Sequence, residues 1–490
     1  MFVSATDLPP DSRHHHDVVI VGGGAAGITL AGELSDAGLD VGLAEGGGRT
    51  PTRRSQRRYR GPLTVGEGMD YPPLEAYRLR YFGGTTNHWG GWCRPLDPEA
   101  MRGRPGVGDG WPFGRDELDP WYEIAHRWCD IGRTEYRADR LGDSGAALAA
   151  DVGDRLDLQV LRISPPTRFG TEYASVFEPA GRAPTVYLRA NCVGIETDGT
   201  RATGVTVVDE DGHRHVLGGD AVVIACGGIE TVRQLMLAKK AGATIDAADL
   251  LGVGWHEHPH VSMGSVLAPT SWVRSLAADC VVRVGFDSDG TPYKVAVALP
   301  AEERATLGLL EASFTLSGGG EVWGPHADSV TRLAGAASAD GHVPLQMTAR
   351  AEQRTTSASR IVLSDETDDL GLPRAALDWR LATGDASDIR RSRDLVVARL
   401  IGVGLGPAVD QPDGPSSAIT GGAHHMGGAR LHESARYGVV DPDLRCHGTS
   451  NLFACSAAVF PPSGWSNPTL TVVALAARLA HHLTAGDSAR

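Results

Sequence analysis

The chain has no Cys-x-x-Cys pair. Its seven cysteines stand apart at 93, 129, 192, 226, 280, 446 and 455. An odd, scattered count in a long chain reads as reduced thiols in a cytoplasmic protein, not as a disulfide framework. No apolar run approaches the ~18 residues of a membrane span. The opening MFVSATDLPPDSRHHHD lacks the basic-then-apolar order of a secretory signal. The three histidines at 14–16 are too few for a tag and read as surface residues ahead of a strand. There is no basic excess either: 46 Lys+Arg against 60 Asp+Glu leave a formal net charge of -14. That argues against nucleic acid, which needs a basic face. Solubility accounts for such a charge, and so does attraction of a cationic substrate such as an amino sugar; both readings stay open. Internal repeats are lacking as well.

What the chain does have is glycine, 63 of its 490 residues, much of it in short clusters that mark turns and close approaches of backbone to a ligand. Hydrophobic residues at 41% and charged residues at 22% fit an ordinary globular protein with core enough for two or three domains. Asp17 to Val21 is a short β-branched run that predicts a buried strand. It leads into Gly22-Gly23-Gly24-Ala25-Ala26-Gly27, then a helical pattern ending at Gly38, then a second strand ending in Glu45. Strand, G-x-G-x-x-G, helix, strand and acid in this order form a dinucleotide-binding fingerprint. Gly22 permits the tight turn, Gly24 lets backbone approach a pyrophosphate, and Gly27 lets helix and strand pack closely. The helix N-terminus offers N–H groups to the diphosphate, and Glu45 can accept from a ribose hydroxyl. The fingerprint alone leaves FAD and NAD both open.

Residues 49–82, with RRSQRRYRG at 53–61, read as a solvated basic loop over the surface. Gly83 to Trp92 (GGTTNHWGGW) is a loop, and WPFGRDELDPWYEIAHRWCDIG at 111–132 reads as an amphipathic helix. Residues 186–208 alternate like a β-meander, and 220–238 repeat strand, Gly-Gly, helix, which would add a parallel strand to the first sheet. Residues 262–375 lose that rhythm; VRVGFDSDGTPYKVAVAL at 282–299 reads as a hairpin with an Asp-Gly turn. A helix is expected over 384–403, and Gly-rich loops, a strand and a final helix from 415 onward. Gly142-Asp143-Ser144-Gly145 has no supporting Ser–His–Asp set. The alternation His256-Glu257-His258-Pro259-His260 fits no closed metal-ligand spacing.

Three segments taken together carry a resemblance: GGGAAG near the start, GGTTNHWGG in the middle, and His424-His425-Met426-Gly427-Gly428-Ala429-Arg430-Leu431 followed by Ser466-Asn467-Pro468-Thr469. In this order the chain resembles the glucose–methanol–choline (GMC) oxidoreductases, in particular the bacterial branch and pyranose 2-oxidase with related sugar oxidases. The resemblance is weakest over 262–375. It implies an α/β fold: a discontinuous Rossmann-like FAD-binding domain over 14–95, 183–261 and 415–490, and an antiparallel-sheet substrate-binding domain over 96–182 and 262–414. It implies FAD as cofactor, a sugar or sugar-like polyol as substrate, and oxygen or another electron acceptor, with no nucleic acid or membrane partner.

By the same resemblance His424 takes the hydroxyl proton and Asn467 holds the substrate oxygen while hydride leaves for flavin N5. The chemistry agrees: imidazole titrates nearest neutrality, and an amide holds an oxygen without taking its proton. The plain alternatives are a structural His424 and an Asn467 that merely caps the helix begun by Pro468. Cofactor contacts are expected at Gly22, Gly24, Gly27, Glu45, Gly84, Thr85, Asn87, His88, Trp89, Gly90, Val193, Ala457, Pro468 and Thr469. His88 either bonds the flavin covalently, as the matching histidine does in pyranose 2-oxidase, or lines its ring. Ser456-Ala457 departs from the family's usual Gly-Asp or Gly-Ser, and Gly428-Ala429 from its commoner Thr-Thr. A lyase on the same fold, an NAD-dependent dehydrogenase and a non-catalytic flavin-binding protein are the competing readings.

Overall fold

The structure is a computed structural model that describes residues 1–165, 167–178, 183–318, 341–409 and 419–487. Val18, Val19, Ile20 and Val21 are buried on a strand that begins at Arg13, earlier than the apolar run suggests. Arg13 to His16 join the ladder because Val216 to Gly219 run parallel beside them. The three histidines are therefore strand residues. Only His15 is fully exposed; His16 is buried, its Nε2 3.0 Å from the Tyr187 hydroxyl and its Nδ1 3.1 Å from Asp40.

The first sheet runs Phe2–Ser4, Thr185–Leu188, Val41–Glu45, Arg13–Val21, Arg214–Ile224 and Leu452–Ala454, all parallel. Strands buried on both faces read as continuous apolar runs, which is why DVVIV and DAVVI stand out in the sequence. Asn191–Asp198 and Arg201–Val208 form an antiparallel ribbon on the first half of Arg214–Ile224. The helices Ala25–Asp36 and Gly227–Lys240 follow their strands directly, and the final helix Pro468–Asp487 packs on Ala25–Asp36 and Arg115–Cys129. This is the α/β, doubly wound half of the fold.

The second sheet is antiparallel, in the order Ala408–Val409, Pro259–Pro269, His342–Ala351, Ala312–Ser317, Pro292–Ala298, Asp157–Ile163 and Trp92–Cys93. One face alternates into a second core: Phe314, Leu316, Leu345, Met347 and Ala349 pack with Ile389, Val396 and Leu400 of the helix Asp385–Gly402. A small third sheet joins Arg360–Thr367, Pro373–Trp379 and Leu63–Val65.

Each of the two cores draws on segments from distant parts of the chain. The helix Arg115–Cys129 and the strand Pro373–Trp379 put Leu118, Tyr122, Leu377 and Trp379 into the core of the parallel sheet, while Trp92–Cys93 and Thr420–Gly421 pair with the antiparallel one. Rhythm reveals an element's type, not which core its apolar face joins. The basic stretch 49–82 also differs from a solvated loop. It contains the short helices Arg53–Arg57 and Leu74–Tyr77 and buries Arg58, Tyr71 and Arg78. Arg58 is held by both carboxylate oxygens of Asp369 at 2.7 and 2.8 Å, a partner far along the chain that local pattern cannot show. Among the described residues no helix is long and apolar enough to cross a membrane.

Candidate active site

The glycine turn after the strand Arg13–Val21 separates into supports and an opening. Gly22 has φ +109°, and a Cβ there would meet the Ala225 carbonyl oxygen at 2.6 Å. A Cβ at Gly27 would fall on the carbonyl of Gly22 itself. Gly24 is different: a Cβ there would meet nothing within 4 Å, because the position opens onto a cleft. Glu45 holds the turn from the next strand, accepting the N–H of Gly23 at 2.9 Å and of Gly47 at 2.7 Å. Carboxylate oxygens have lone pairs to spare beyond those bonds, and Glu45 lines the cleft.

From this turn the cleft extends to the start of the final helix. Gly22, Gly24, Glu45, Gly84, Thr85, Ala457, Pro468, Thr469 and His424 line it. Gly27 lies beneath the turn. Val193 sits at a ladder irregularity between Cys192 and Gly194, beside the cleft-lining Cys192. The middle motif divides at Asn87. Asn87 braces its own loop, donating to the Phe82 carbonyl at 2.8 Å and accepting from Gly170 N–H at 3.2 Å. His88 is exposed, with Nε2 2.9 Å from the Tyr81 hydroxyl; Trp89 donates to the Thr167 carbonyl at 2.9 Å; Gly90 is exposed.

The cleft suits a long dinucleotide anion. It offers a helix N-terminus, a glycine with room over it, and Arg78, a buried guanidinium lining the cleft whose Nη1 has no hydrogen-bond partner.

At the far end His424 and Asn467 come together. The Asn467 amide nitrogen lies 2.9 Å from His424 Nε2, and the His424 Nδ1 lies 2.9 Å from His258 Nδ1. An amide N–H turned to Nε2 makes that nitrogen the acceptor, so Nδ1 carries the proton and donates to His258. Burial, and after it the Arg350 charge, pushes the His424 pKa down to about 3, which keeps the imidazole neutral. Asn467 precedes Pro468 at the helix start, yet its side chain serves His424, and its Oδ1 has no partner.

Below His424 lies a carboxyl that local pattern had set aside. Glu257 is fully buried and accepts the Tyr71 hydroxyl at 2.7 Å, His258 N–H at 2.8 Å, and His424 N–H at 2.8 and 2.9 Å. Burial raises its pKa to about 7, against the pull of those donors. Thus the His256–His260 alternation supplies the floor of the site: Glu257 pins the loop that carries His424, and His258 fixes the tautomer of that imidazole. The available signal was the two-residue spacing of His258 and His260 in an extended segment, but nothing local tied it to residue 424.

Comparison with known proteins places this architecture. Residues 355–476 match the family model described as GMC oxidoreductase. The chain is 24% identical over 465 residues to the fructose dehydrogenase large subunit of Gluconobacter japonicus, covering 84% of this chain and 82% of that one. It is 24% identical over 448 residues to paromamine 6'-oxidase of Streptomyces fradiae, covering 83% and 78%. Among solved structures, a formate oxidase of Aspergillus oryzae superimposes with TM-score 0.64 at 16% identity over 98% of this chain and 100% of that one. Pyridoxine 4-oxidase from Mesorbium loti gives 0.62 at 16%, over 95% and 98%. Residues 355–476 thus match the GMC oxidoreductase family, and the chain as a whole is similar to oxidoreductases and shares the fold of the solved oxidases.

Proposed function

We propose that the protein oxidises a hydroxyl of a sugar or sugar-like polyol to a carbonyl, with His424 as base. The observation that carries this reading is His424 Nε2, held 2.9 Å from the Asn467 amide nitrogen, with His424 lining the nucleotide cleft. The curated relatives named above are a fructose dehydrogenase and a paromamine oxidase, which favours a carbohydrate alcohol. FAD bound in the cleft supplies the acceptor for the hydride leaving the alcohol carbon.

The residues of the chain do the rest. His424 Nε2 accepts the hydroxyl proton, so that the C–H electron pair can leave and a C=O bond can form. Asn467 turns its N–H from the imidazole to the substrate oxygen and holds it in line. His258 accepts the Nδ1–H bond throughout and so keeps Nε2 as the basic atom. The N-terminus of the helix Pro468–Asp487 presents its positive end to the cleft and favours negative charge there.

The test is flavin bleaching without oxygen. Polyols and sugars are mixed with the yellow protein, and oxygen is then admitted to see whether it restores the colour. We expect bleaching by a carbohydrate alcohol. We expect His424→Ala to retain its flavin absorbance but bleach more slowly by about 10²–10⁴-fold. Turnover undiminished in that variant, or no carbohydrate that bleaches the flavin, overturns the reading.

A further inference from the structure

The loop that brings Asn467 to His424 is itself buried, from Pro461 to Ser466. Such a loop has no ladder of its own, so its N–H groups must borrow acceptors from neighbouring segments. Gly464 N–H donates to Glu352 Oε1 at 3.2 Å, and the Ser466 hydroxyl to the Pro95 carbonyl at 3.2 Å. The second is a bond between neutral groups. The first ends on a carboxylate, which makes it the stronger of the two.

Glu352 is buried and reaches the loop from the antiparallel sheet. It follows the strand His342–Ala351, as Glu311 precedes Ala312–Ser317, and those strands pair Ala351 with Ala312. The two glutamates therefore stand side by side. Glu352 N–H donates to the Glu311 carbonyl at 2.8 Å, and Glu311 N–H donates to Glu352 Oε2 at 3.3 Å. Arg104, partly exposed, donates to Glu352 Oε1, the same oxygen that takes Gly464 N–H. One carboxylate thus ties together the sheet, the segment of Arg104 and the loop of Asn467.

Glu311 closes the other side of the loop. Gly464 has φ +65°, and a Cβ there would run into Glu311 Oε2. Glu311 Oε1 accepts from Arg304 at 2.9 Å. Burial pushes the Glu311 carboxyl well above its usual range, against the Arg304 charge, so that near neutrality it sets no second full charge beside Glu352. Gly464, three residues before Asn467, is held between the two glutamates.

We propose that Glu352, braced by Arg104, is a positioning residue of the reaction: it mounts the loop of Asn467 and so sets where the amide stands beside His424. This rests on the alcohol-oxidation reading above for the use made of that amide. Asn467 Nδ2 has His424 Nε2 for a partner, and Oδ1 has none. When the N–H turns from His424 to the substrate oxygen, the place of the amide is set by its main chain. A misplacement of about 1 Å in a group that orients reacting atoms costs about 100-fold in rate.

The experiment follows amide hydrogen exchange over 463–467 by mass spectrometry in the whole FAD-loaded chain. It also follows the ring-nitrogen resonance of His424 in protein carrying nitrogen-labelled histidine, identified as the signal missing from His424→Ala. In Glu352→Ala, exchange over 463–467 is expected to quicken by about tenfold or more while the rest of the chain keeps its rates, and the His424 signal to shift. Glu352→Gln keeps an oxygen for Gly464 N–H and should return both most of the way. Arg104→Met leaves the carboxyl in place and should quicken the same exchange to a lesser degree; it decides the matter if Glu352→Ala does not fold. Anaerobic bleaching by sugars and polyols should slow by about tenfold or more in Glu352→Ala, with half-saturation little changed. Exchange over 463–467 at the unaltered rate, exchange quickened alike throughout the chain, an unmoved His424 signal, undiminished bleaching, or Glu352→Gln no better than Glu352→Ala overturns the proposal. If no sugar or polyol bleaches even the unaltered protein, the oxidation reading falls, and exchange with the His424 signal still decides whether Glu352 mounts the loop.

Discussion

The two ends of the cleft are built from different materials. At the Gly22–Gly27 end the turn meets the cleft with main chain, beside the Glu45 carboxylate, and what matters along the turn is the side chain that is missing. At the His424–Asn467 end it is side chain on side chain, with a buried carboxyl beneath. One end recognises by shape and N–H direction. The other sets a proton on a chosen nitrogen. Changes at the first should therefore remove the cofactor, and changes at the second should leave the colour and remove the chemistry.

The sharpest break lies within the glycine turn. Gly27→Ala would drive a methyl into the Gly22 carbonyl. We expect it to yield no FAD-loaded protein at all, measured as flavin absorbance per folded chain. Gly24→Ala has space around the added methyl, but that space is the cleft itself. We expect a normally folded apoprotein whose FAD affinity falls by about tenfold or more, measured by titration. Equal behaviour of the two variants would contradict the division of the turn into support and opening.

At the other end Glu257 offers a stability test with a definite sign. Its folded pKa of about 7 lies above the ordinary carboxyl value of 4.5, so the folded state holds the proton more tightly. The stability this contributes is fully present below pH 4.5 and is lost as pH rises through 7. Glu257→Gln, which keeps an acceptor oxygen for the His258 and His424 N–H groups and turns its NH2 to a Tyr71 hydroxyl able to accept it, should flatten that dependence in denaturant melts between pH 5 and 8. Glu257→Leu leaves several buried donors unmatched and should destabilise by about 3 kcal/mol. The smallest effect concerns His88, whose Nε2 faces Tyr81 from an exposed position. Acid precipitation is expected to leave the flavin in the supernatant, and colour in the pellet would show a covalent bond.

Much of the first end was legible in the sequence because its causes are local. A β-branched run, glycines at fixed offsets and an acid at the next strand's end each act within one βα unit. The start of the final helix was legible for the same reason, since Pro468 after an asparagine opens a helix by its own geometry. The floor under His424 was not. His258 meets it across the pairing of distant segments, and that register depends on the whole sheet. The burial of Arg58 and Arg78 was hidden likewise, since basic residues read as solvated until a remote partner is known.

The placement of the final helix bears on biosynthesis. The turn at Gly22–Gly27 leaves the ribosome early, whereas Pro468–Asp487, which walls the opposite end of the cleft, emerges only after the whole antiparallel sheet has been made. A nascent chain can thus form its first βαβ unit while having nowhere to seat the ring system. Cofactor capture belongs to the closing stage of assembly, and any truncation that removes the last helix should leave a chain that is half folded and colourless.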